Sequence, residues 1–221
     1  MHRVQAEPAA NIHAEFWLPT HAPIVGAVAA LTQEKGHKYL IDAAALVVRE
    51  VPDARFVILG EGDLRPALER QIRELHLDRH VLLPGFRADI LAFIRSFDLF
   101  VMSSLAEGLG TSLLDAMALS KATVASDTGG IPEVVSHNET GLLVSPRDPR
   151  ALATAISFDF GTVAPAAAET VLVVTRLLAS LPTGTEPGDR VDIAPALGVL
   201  GPMPFRRELQ LSLALPRAGR V

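Results

Sequence analysis

A short glycine-rich segment that ends at Asp115 carries residue types that could bind a phosphorylated ligand. Glu107 follows an apolar run, and Gly108 and Gly110 would let the backbone approach a ligand closely. Thr111 opens a predicted helix whose first amide groups have no partner within the helix. A phosphate placed there would gain hydrogen bonds and the positive end of the helix dipole. Asp115 lies one turn into this helix and could accept hydrogen bonds from the hydroxyl groups of a ribose.

The glycine spacing alone leaves a structural alternative open, because glycine-rich turns before helices also allow a strand and a helix to pack closely. A dinucleotide-binding fingerprint needs a third glycine three residues after the second, but Leu113 stands at that distance from Gly110 and Arg65 from Gly62. The lysine-containing phosphate loop of ATP-binding and GTP-binding proteins is absent too. A nicotinamide-dependent or other Rossmann protein is therefore an alternative of a different class, without a suitably placed ribose acid to support it.

Alternating apolar and amphipathic segments predict the elements that position these residues. Short apolar runs separated by amphipathic ones are typical of a parallel sheet covered by helices on both faces, which is an α/β fold. The clearest predicted helices run from Tyr39 to Val51 and from Asp63 to about Leu75. Because turn residues follow each strand, a ligand site is expected at the carboxyl ends of the strands. The predicted strands are Ile24 to Ala30, Arg55 to Leu59, Val81 to Leu83, Leu99 to Met102, Thr123 to Ala125 and Leu142 to Val144.

The composition of the 221-residue chain excludes several functions. Its 25 acidic residues outnumber its 20 basic ones, which argues against a nucleic-acid binder that relies on a basic surface. The chain has no cysteine, and its seven histidines show no metal-ligand spacing, so neither a disulfide nor a metal site is expected. Neither a signal-peptide pattern nor a transmembrane run is present, so we expect a cytoplasmic chain without a transmembrane segment.

Five groups of motifs between Pro23 and Ile156 occur in an order that resembles one known family. They are VGAVAALTQEKGHKYLIDA (Val25 to Ala43), FVILGEGDLR (Phe56 to Arg65), VLLPGF (Val81 to Phe86), LFVMSSLAEGLGTSLLDAMA (Leu99 to Ala118), and DTGGIPEVV with TGLLVSPRDP (Asp127 to Val135 and Thr140 to Pro149). This region resembles the carboxyl-terminal, donor-binding, Rossmann-like domain of a family 4 retaining glycosyltransferase of the GT-B fold, also known as glycosyl transferases group 1. The resemblance implies that a sugar is transferred from a UDP-linked or GDP-linked donor to an acceptor. It also implies that the anomeric configuration is retained and that neither a metal nor a cofactor takes part.

The resemblance implies catalytic roles for Lys35 and Glu107. Lys35 would offset the negative charge that grows on the leaving diphosphate, and Glu107 would hold hydroxyl groups of the donor sugar and stabilise positive charge near its anomeric carbon. Asp115 occupies the position of the family's second glutamate, which grips the ribose, and its shorter side chain would make that contact through water. The other implied donor-binding residues would line or shape the pocket: Gly60, Gly62, Gly85, Phe86, Gly108, Leu109, Gly110 and Thr111.

Several positions near these motifs need their own interpretation. The arginine that usually stands five residues before the lysine of this family is Ala30 here, so one charge-assisted contact to the diphosphate is missing. Gly129 and Gly130 are interpreted as structural, because paired glycines permit tight backbone geometry. Phe86 is interpreted either as part of the nucleotide pocket or as an ordinary core residue. His37 is expected to face solvent.

The predicted domain organisation is uneven. Residues 1–22 are interpreted as an amino-terminal remnant or linker, and residues 23–156 as the nucleotide-sugar-binding domain. Residues 157–221 are interpreted as an irregular tail that is partly helical, from Glu169 to Leu181, or disordered. GT-B enzymes also have an amino-terminal acceptor domain, which we do not recognise here. A truncated, non-catalytic nucleotide-sugar-binding remnant is therefore an alternative, the acceptor is unassigned, a separate acceptor domain is an expected partner, and any membrane contact would be peripheral.

Overall fold

The computed structural model describes residues 8–162, which form a six-stranded sheet and seven α-helices. The strands are β1 (Ile24–Val28), β2 (Arg55–Leu59), β3 (Val81–Gly85), β4 (Leu99–Met102), β5 (Ala122–Ser126) and β6 (Leu142–Val144). The helices are α1 (Ile12–Glu15), α2 (His37–Glu50), α3 (Arg65–Glu74), α4 (Ile90–Ser96), α5 (Thr111–Ala118), α6 (Ile131–Val134) and α7 (Pro149–Thr162). A short 3-10 turn, Gln33–Lys35, precedes α2.

All neighbouring strands are parallel, in the order β3-β2-β1-β4-β5-β6. The chain builds the sheet outward from β1 to β3 and then returns to place β4 on the other side of β1. Val25 of β1 lies opposite Leu99 of β4, and Gly26 lies opposite Phe100. The loops that leave β1 and β4 therefore diverge to opposite faces of the sheet, and the crevice between them is where parallel α/β sheets bind ligands.

Alternate residues of each strand enter two separate core layers. Phe56 and Ile58 of β2 pack in the layer that α2, α3 and α7 cover, whereas Val57 and Leu59 pack in the layer beneath α4, α5 and α6. Because side chains alternate along a strand, a sheet buried on both faces needs a continuous apolar run. The α/β fold class, a parallel sheet with helices on both faces, is confirmed.

All six predicted strands form, with small differences at their ends. β1 ends before its predicted last residue because the ladder with β2 stops at Val28 and Leu59, where the chains diverge. The amide of Gly60, the residue that follows β2, donates instead to the carbonyl of Gly85 in β3 at 2.9 Å. β3 continues past its predicted end and includes Pro84, which the sheet tolerates because β3 is an edge strand.

Short helices such as α1 and α4 were not predicted individually, because four and seven residues are too few to show a clear period. α1 is capped by the side chain of Asn11 and buries Ile12 in the second core layer, and Arg87 links it to the main body through Glu15 at 2.8 Å. α7 continues beyond the predicted domain end at Ile156. The predicted helix from Glu169 to Leu181 lies outside the described residues.

Gly26 in the centre of β1 makes room for the ring of Phe97. A Cβ at Gly26 would lie 1.9 Å from that ring, which is itself only 1% exposed. The absence of a side chain therefore lets α4 and its following turn approach the sheet.

Replacing Gly26 by alanine is expected to lower the free energy of unfolding by about 1–3 kcal/mol, because the new methyl group would overlap a closely packed ring. Gly108→Ala is the matched control, since no atom lies within 4 Å of the position its Cβ would take. Urea unfolding followed by circular dichroism measures both. An equal loss of stability in the two variants would contradict this account.

Candidate functional site

The loops that follow β1 and β4 are joined by backbone contacts at the reversal of strand order. The amide of Leu105 donates to the carbonyl of Glu34 at 2.6 Å, and the hydroxyl of Ser103 donates to the carbonyl of Lys35 at 3.1 Å. Gly36 adopts a left-handed conformation with φ +63°, and a Cβ there would lie 2.1 Å from the carbonyl oxygen of Ser103. The two loops are therefore fixed to each other before any side chain of the site is considered.

Here Lys35 and Glu107, two residues with predicted catalytic roles, come into contact. The Lys35 Nζ donates to Glu107 Oε2 at 2.7 Å, and the hydroxyl of Ser104 donates to the same oxygen at 3.0 Å. The side chains are 26% and 12% exposed, so the pair is partly shielded from water. Partial burial pushes the pKa of Glu107 upward, but the hydrogen bonds from Lys35 and Ser104 and the charge of Lys35 outweigh it and hold that pKa below its usual value.

The turn from Thr128 to Gly130 holds the backbone of Glu107 in place. The hydroxyl of Thr128 donates to the carbonyl of Leu105 at 3.1 Å, and the amide of Gly130 donates to the carbonyl of Glu107 at 3.2 Å. A Cβ on Gly129 would lie 1.9 Å from the Glu107 carbonyl oxygen. The structural interpretation of this glycine pair is confirmed, because side chains on it would displace the loop that carries Glu107.

The amino terminus of α5 lies beside the same loops. Gly110 takes a left-handed conformation with φ +69°, and α5 begins at Thr111, as predicted. The hydroxyl of Ser112 donates to the carbonyl of Val28 at 2.9 Å, which fixes the first turn of α5 to the end of β1. No side chain of the described residues caps this helix. Asp115 is partly buried one turn further on, and this burial raises its pKa.

The remaining predicted glycines lie on the other side of β1, in the loops after β2 and β3. A Cβ on Gly60 would lie 1.9 Å from the carbonyl oxygen of Ala29, and one on Gly62 would lie 2.5 Å from that of Leu31. Gly85, with φ +95°, accepts the hydrogen bond from the amide of Gly60. These three glycines allow the loops after β1, β2 and β3 to meet, and the structure places them next to the loop that leads to Lys35.

Two apolar side chains with predicted donor contacts stand out from the surface. Phe86, just after Gly85, is 75% exposed, so the interpretation as a core residue is wrong. Leu109 is 53% exposed in the loop before α5. Gly108 lies in open space beside it. Both large side chains are therefore free to contact a ligand or another protein surface.

His37 is the site residue that the sequence analysis misjudged, because it is 3% exposed and does not face solvent. Its Nε2 lies 3.0 Å from the carbonyl oxygen of Ala30. Burial lowers the pKa of His37 to about 4, and the nearby charge of Lys35 also lowers it. A signal was present, since His37 shares the three-to-four-residue spacing of the buried face of α2 with Leu40 and Ile41.

Residues 8–162 contain neither a membrane-spanning helix nor a cluster of metal-binding side chains. No helix there is long and apolar enough to cross a bilayer. No group of three histidine, aspartate or glutamate side chains there is arranged to hold a metal ion.

Comparison with known proteins gives consistent matches over the same region. The family described as Glycosyl transferases group 1 matches residues 22–158. The alpha-D-kanosaminyltransferase of Streptomyces kanamyceticus is 36% identical over 126 residues, which cover 56% of this chain and 33% of that protein. The carboxyl-terminal domain of LpcC, a glycosyl transferase group 1 family protein of Francisella tularensis, has a TM-score of 0.63 at 26% identity and covers 72% of this chain and 87% of that one. Anabaena HepE in complex with UDP has a TM-score of 0.64 at 26% identity, with coverage of 76% and 50%.

A parallel sheet whose polar loops meet where the strand order reverses defines the class of Rossmann-like, ligand-binding α/β domains. Within that class, the chain belongs to the Glycosyl transferases group 1 family, and residues 8–162 have the fold of the carboxyl-terminal domain of GT-B glycosyltransferases. The chain spans about a third of the length of the curated relatives it matches: 33% of the alpha-D-kanosaminyltransferase, and 34% and 35% of two further glycosyltransferases.

The buried neutral His37 is expected to make folding stability depend on pH. The unfolded residue binds a proton below about pH 6.5, whereas the folded residue binds one only near pH 4, so stability falls as the pH is lowered through this window. The difference between wild type and His37→Gln should change by roughly 3 kcal/mol between pH 6.5 and pH 4, with wild type the steeper. Urea unfolding at a series of pH values measures this, and parallel pH slopes would argue against a buried neutral ring.

Proposed function

We propose that this chain is the donor-binding part of a glycosyltransferase and holds a nucleotide-sugar at the carboxyl ends of β1 and β4. The observation that carries the proposal is the partly buried Lys35–Glu107 pair, with a 2.7 Å contact, beside the amino terminus of α5. A nucleoside diphosphate needs positive charge, and a sugar needs a hydrogen-bond acceptor close to it. The pair supplies both, and the family supports this assignment.

In this proposal Lys35 faces the diphosphate and Glu107 faces the sugar. The lysine ammonium carries three hydrogens, so it can keep its contact with Glu107 Oε2 while donating to a phosphate oxygen. It would offset the negative charge that develops on the leaving nucleoside diphosphate. Glu107, with its lowered pKa, is an anion at neutral pH and would accept hydrogen bonds from sugar hydroxyls and stabilise positive charge at the anomeric carbon.

The neighbouring residues are assigned to the rest of the donor. The backbone of Gly108, Leu109, Gly110 and Thr111 would face the phosphates and the sugar, because the first amides of α5 are uncapped by side chains of residues 8–162. Asp115 would reach the ribose through a water. Phe86 would contact the nucleoside beside a pocket wall formed by Gly60, Gly62 and Gly85.

The proposal also covers the metal dependence of the reaction, its stereochemistry and the nucleotide of the donor. The positive charge of Lys35 and the α5 amides would stabilise the leaving group in place of a metal ion. We therefore expect that the reaction requires neither a metal nor a cofactor. Departure and attack on the same face of the sugar would retain its anomeric configuration. Anabaena HepE was solved with UDP, which favours a UDP-linked donor over a GDP-linked one.

The whole protein's reaction needs parts beyond this domain. The acceptor would bind mainly to an amino-terminal domain like those of the longer relatives, supplied as a separate partner or a further part of the protein. A cytoplasmic location with at most peripheral membrane contact is also proposed. A domain that binds the donor without turning it over is the remaining alternative, and it shares the donor site.

Calorimetric titration of the 221-residue chain with UDP, GDP and NAD tests the proposed site. We expect UDP to bind in the presence of EDTA, and Lys35→Ala to weaken binding by about 10-fold to 100-fold because one charge-assisted contact is lost. Lys38→Ala is the matched control, since Lys38 is an exposed neighbour whose ammonium lies over the ring of Tyr39. Binding of NAD without a nucleoside diphosphate, or the same affinity in both lysine variants, would overturn the proposal.

Ala30→Arg is expected to strengthen UDP binding, by up to about 10-fold, because it returns a guanidinium to the loop that carries Lys35. Ala30 is exposed, so the longer side chain has room at the surface of the site. The same titration with UMP should show a smaller gain, since the added charge is intended for the second phosphate. Ala30→Gln controls for side-chain length, and an equal gain from glutamine would show that charge is not the cause.

A further inference from the structure

His37 is held through one ring nitrogen and has a second one without a hydrogen-bond partner among the described residues. Its Nε2 lies 3.0 Å from the carbonyl oxygen of Ala30, which can only accept, so Nε2 carries the proton of a neutral ring. Nδ1 is then an acceptor, and it is buried without a hydrogen-bond partner among residues 8–162. Since buried polar atoms of proteins are almost always hydrogen-bonded, this nitrogen calls for a physical explanation.

A small cavity beside the ring is shared with Lys35 of the Lys35–Glu107 pair. It measures about 10 Å³, close to the room that one water needs, and its lining includes His37, Lys35, Ser103 and Ser104. The two serine hydroxyls donate elsewhere, to the Lys35 carbonyl and to the Glu107 carboxylate, so their oxygens are free to accept. A water in this cavity would thus have two acceptors, Nδ1 and a serine oxygen, for its two hydrogens.

The bond from His37 to Ala30 closes the loop that carries Lys35. The chain leaves β1, passes through the 3-10 turn and returns at the start of α2, where the ring reaches back across it. Gly36 lies between Lys35 and His37 against the Ser103 backbone, with no room for a side chain. The Lys35 backbone is therefore held on one side by Ser103 and on the other by the closed loop.

We propose that His37 is a positioning residue for the Lys35–Glu107 pair. Its neutral ring closes the loop through Nε2 and holds one buried water through Nδ1, so that the Lys35 ammonium projects toward Glu107. The consequence for UDP binding rests on the proposed function, whereas the effect on the ion pair does not depend on any ligand.

The first test measures the coupling of Lys35 to Glu107 without a ligand. Urea midpoints are compared for Lys35→Ala, Glu107→Gln and the double variant, in wild type and in His37→Leu and His37→Gln backgrounds. We expect the two single midpoint shifts to be non-additive in wild type, additive in the leucine background and again non-additive with glutamine. Glutamine can place an N–H near the position of Nε2, whereas leucine fills the space without donating.

Each outcome of this cycle decides the proposal. Non-additivity that persists with leucine overturns it, and equal loss of coupling with leucine and glutamine reduces His37 to a packing residue, which also overturns it. If the leucine variant does not fold, His37→Asn takes its place, because its shorter amide cannot reach Ala30. Imidazole nitrogen NMR of the wild-type chain at pH 7 should show the Nε2–H form, and an Nδ1–H or charged ring would contradict the proposal.

The second test measures UDP and UMP binding by variants of His37. His37→Leu should weaken UDP binding by about 10-fold with a smaller change for UMP, His37→Gln should stay within about 3-fold of wild type, and the exposed His21→Gln should be unchanged. Equal losses for UDP and UMP would indicate general damage and count against positioning. Wild type that binds neither UDP nor GDP while the ligand-free cycle succeeds would reject the proposed function alone. A crystal structure should show a water between Nδ1 and a serine hydroxyl, and a dry cavity would overturn that part.

Discussion

The parallel pairing of β1 with β4 is the constraint on which the site depends, because it places two distant loops at one edge of the sheet. Lys35 and Glu107 are 72 residues apart in the chain and meet only because those strands are neighbours. The backbone contact of Leu105 with Glu34 then fixes the spacing of the loops. A change in strand order would separate the pair.

Charge at this edge is balanced within the protein before any ligand arrives. The carboxylate of Glu107 satisfies the ammonium of Lys35, and the hydroxyl of Ser104 shares the same oxygen, so neither charge is left unpaired in a partly buried place. An anionic ligand therefore meets a preformed cation that is already oriented. The buried and neutral His37 adds no competing charge to this balance at neutral pH.

The sequence allowed the sheet to be predicted well and the site only in part. Apolar runs such as Leu99–Met102 predict a strand buried on both faces, and Thr111 after two glycines predicts the start of α5. The solvent-facing prediction for His37 failed because it gave weight to the polar side chain at a helix start and not to the spacing that places His37 on the buried face of α2 with Leu40 and Ile41. Phe86 could not be assigned to core or surface, since exposure depends on the turn geometry at Gly85.

The two edges of the sheet also bear on how the protein behaves at high concentration. Open strand edges invite pairing with strands of other molecules, which leads to aggregation. The edge strand β3 contains Pro84, which has no N–H to donate to a strand of another molecule. The opposite edge strand, β6, is only three residues long. Within residues 8–162, the sheet can thus keep two open edges and still resist edge-to-edge self-association.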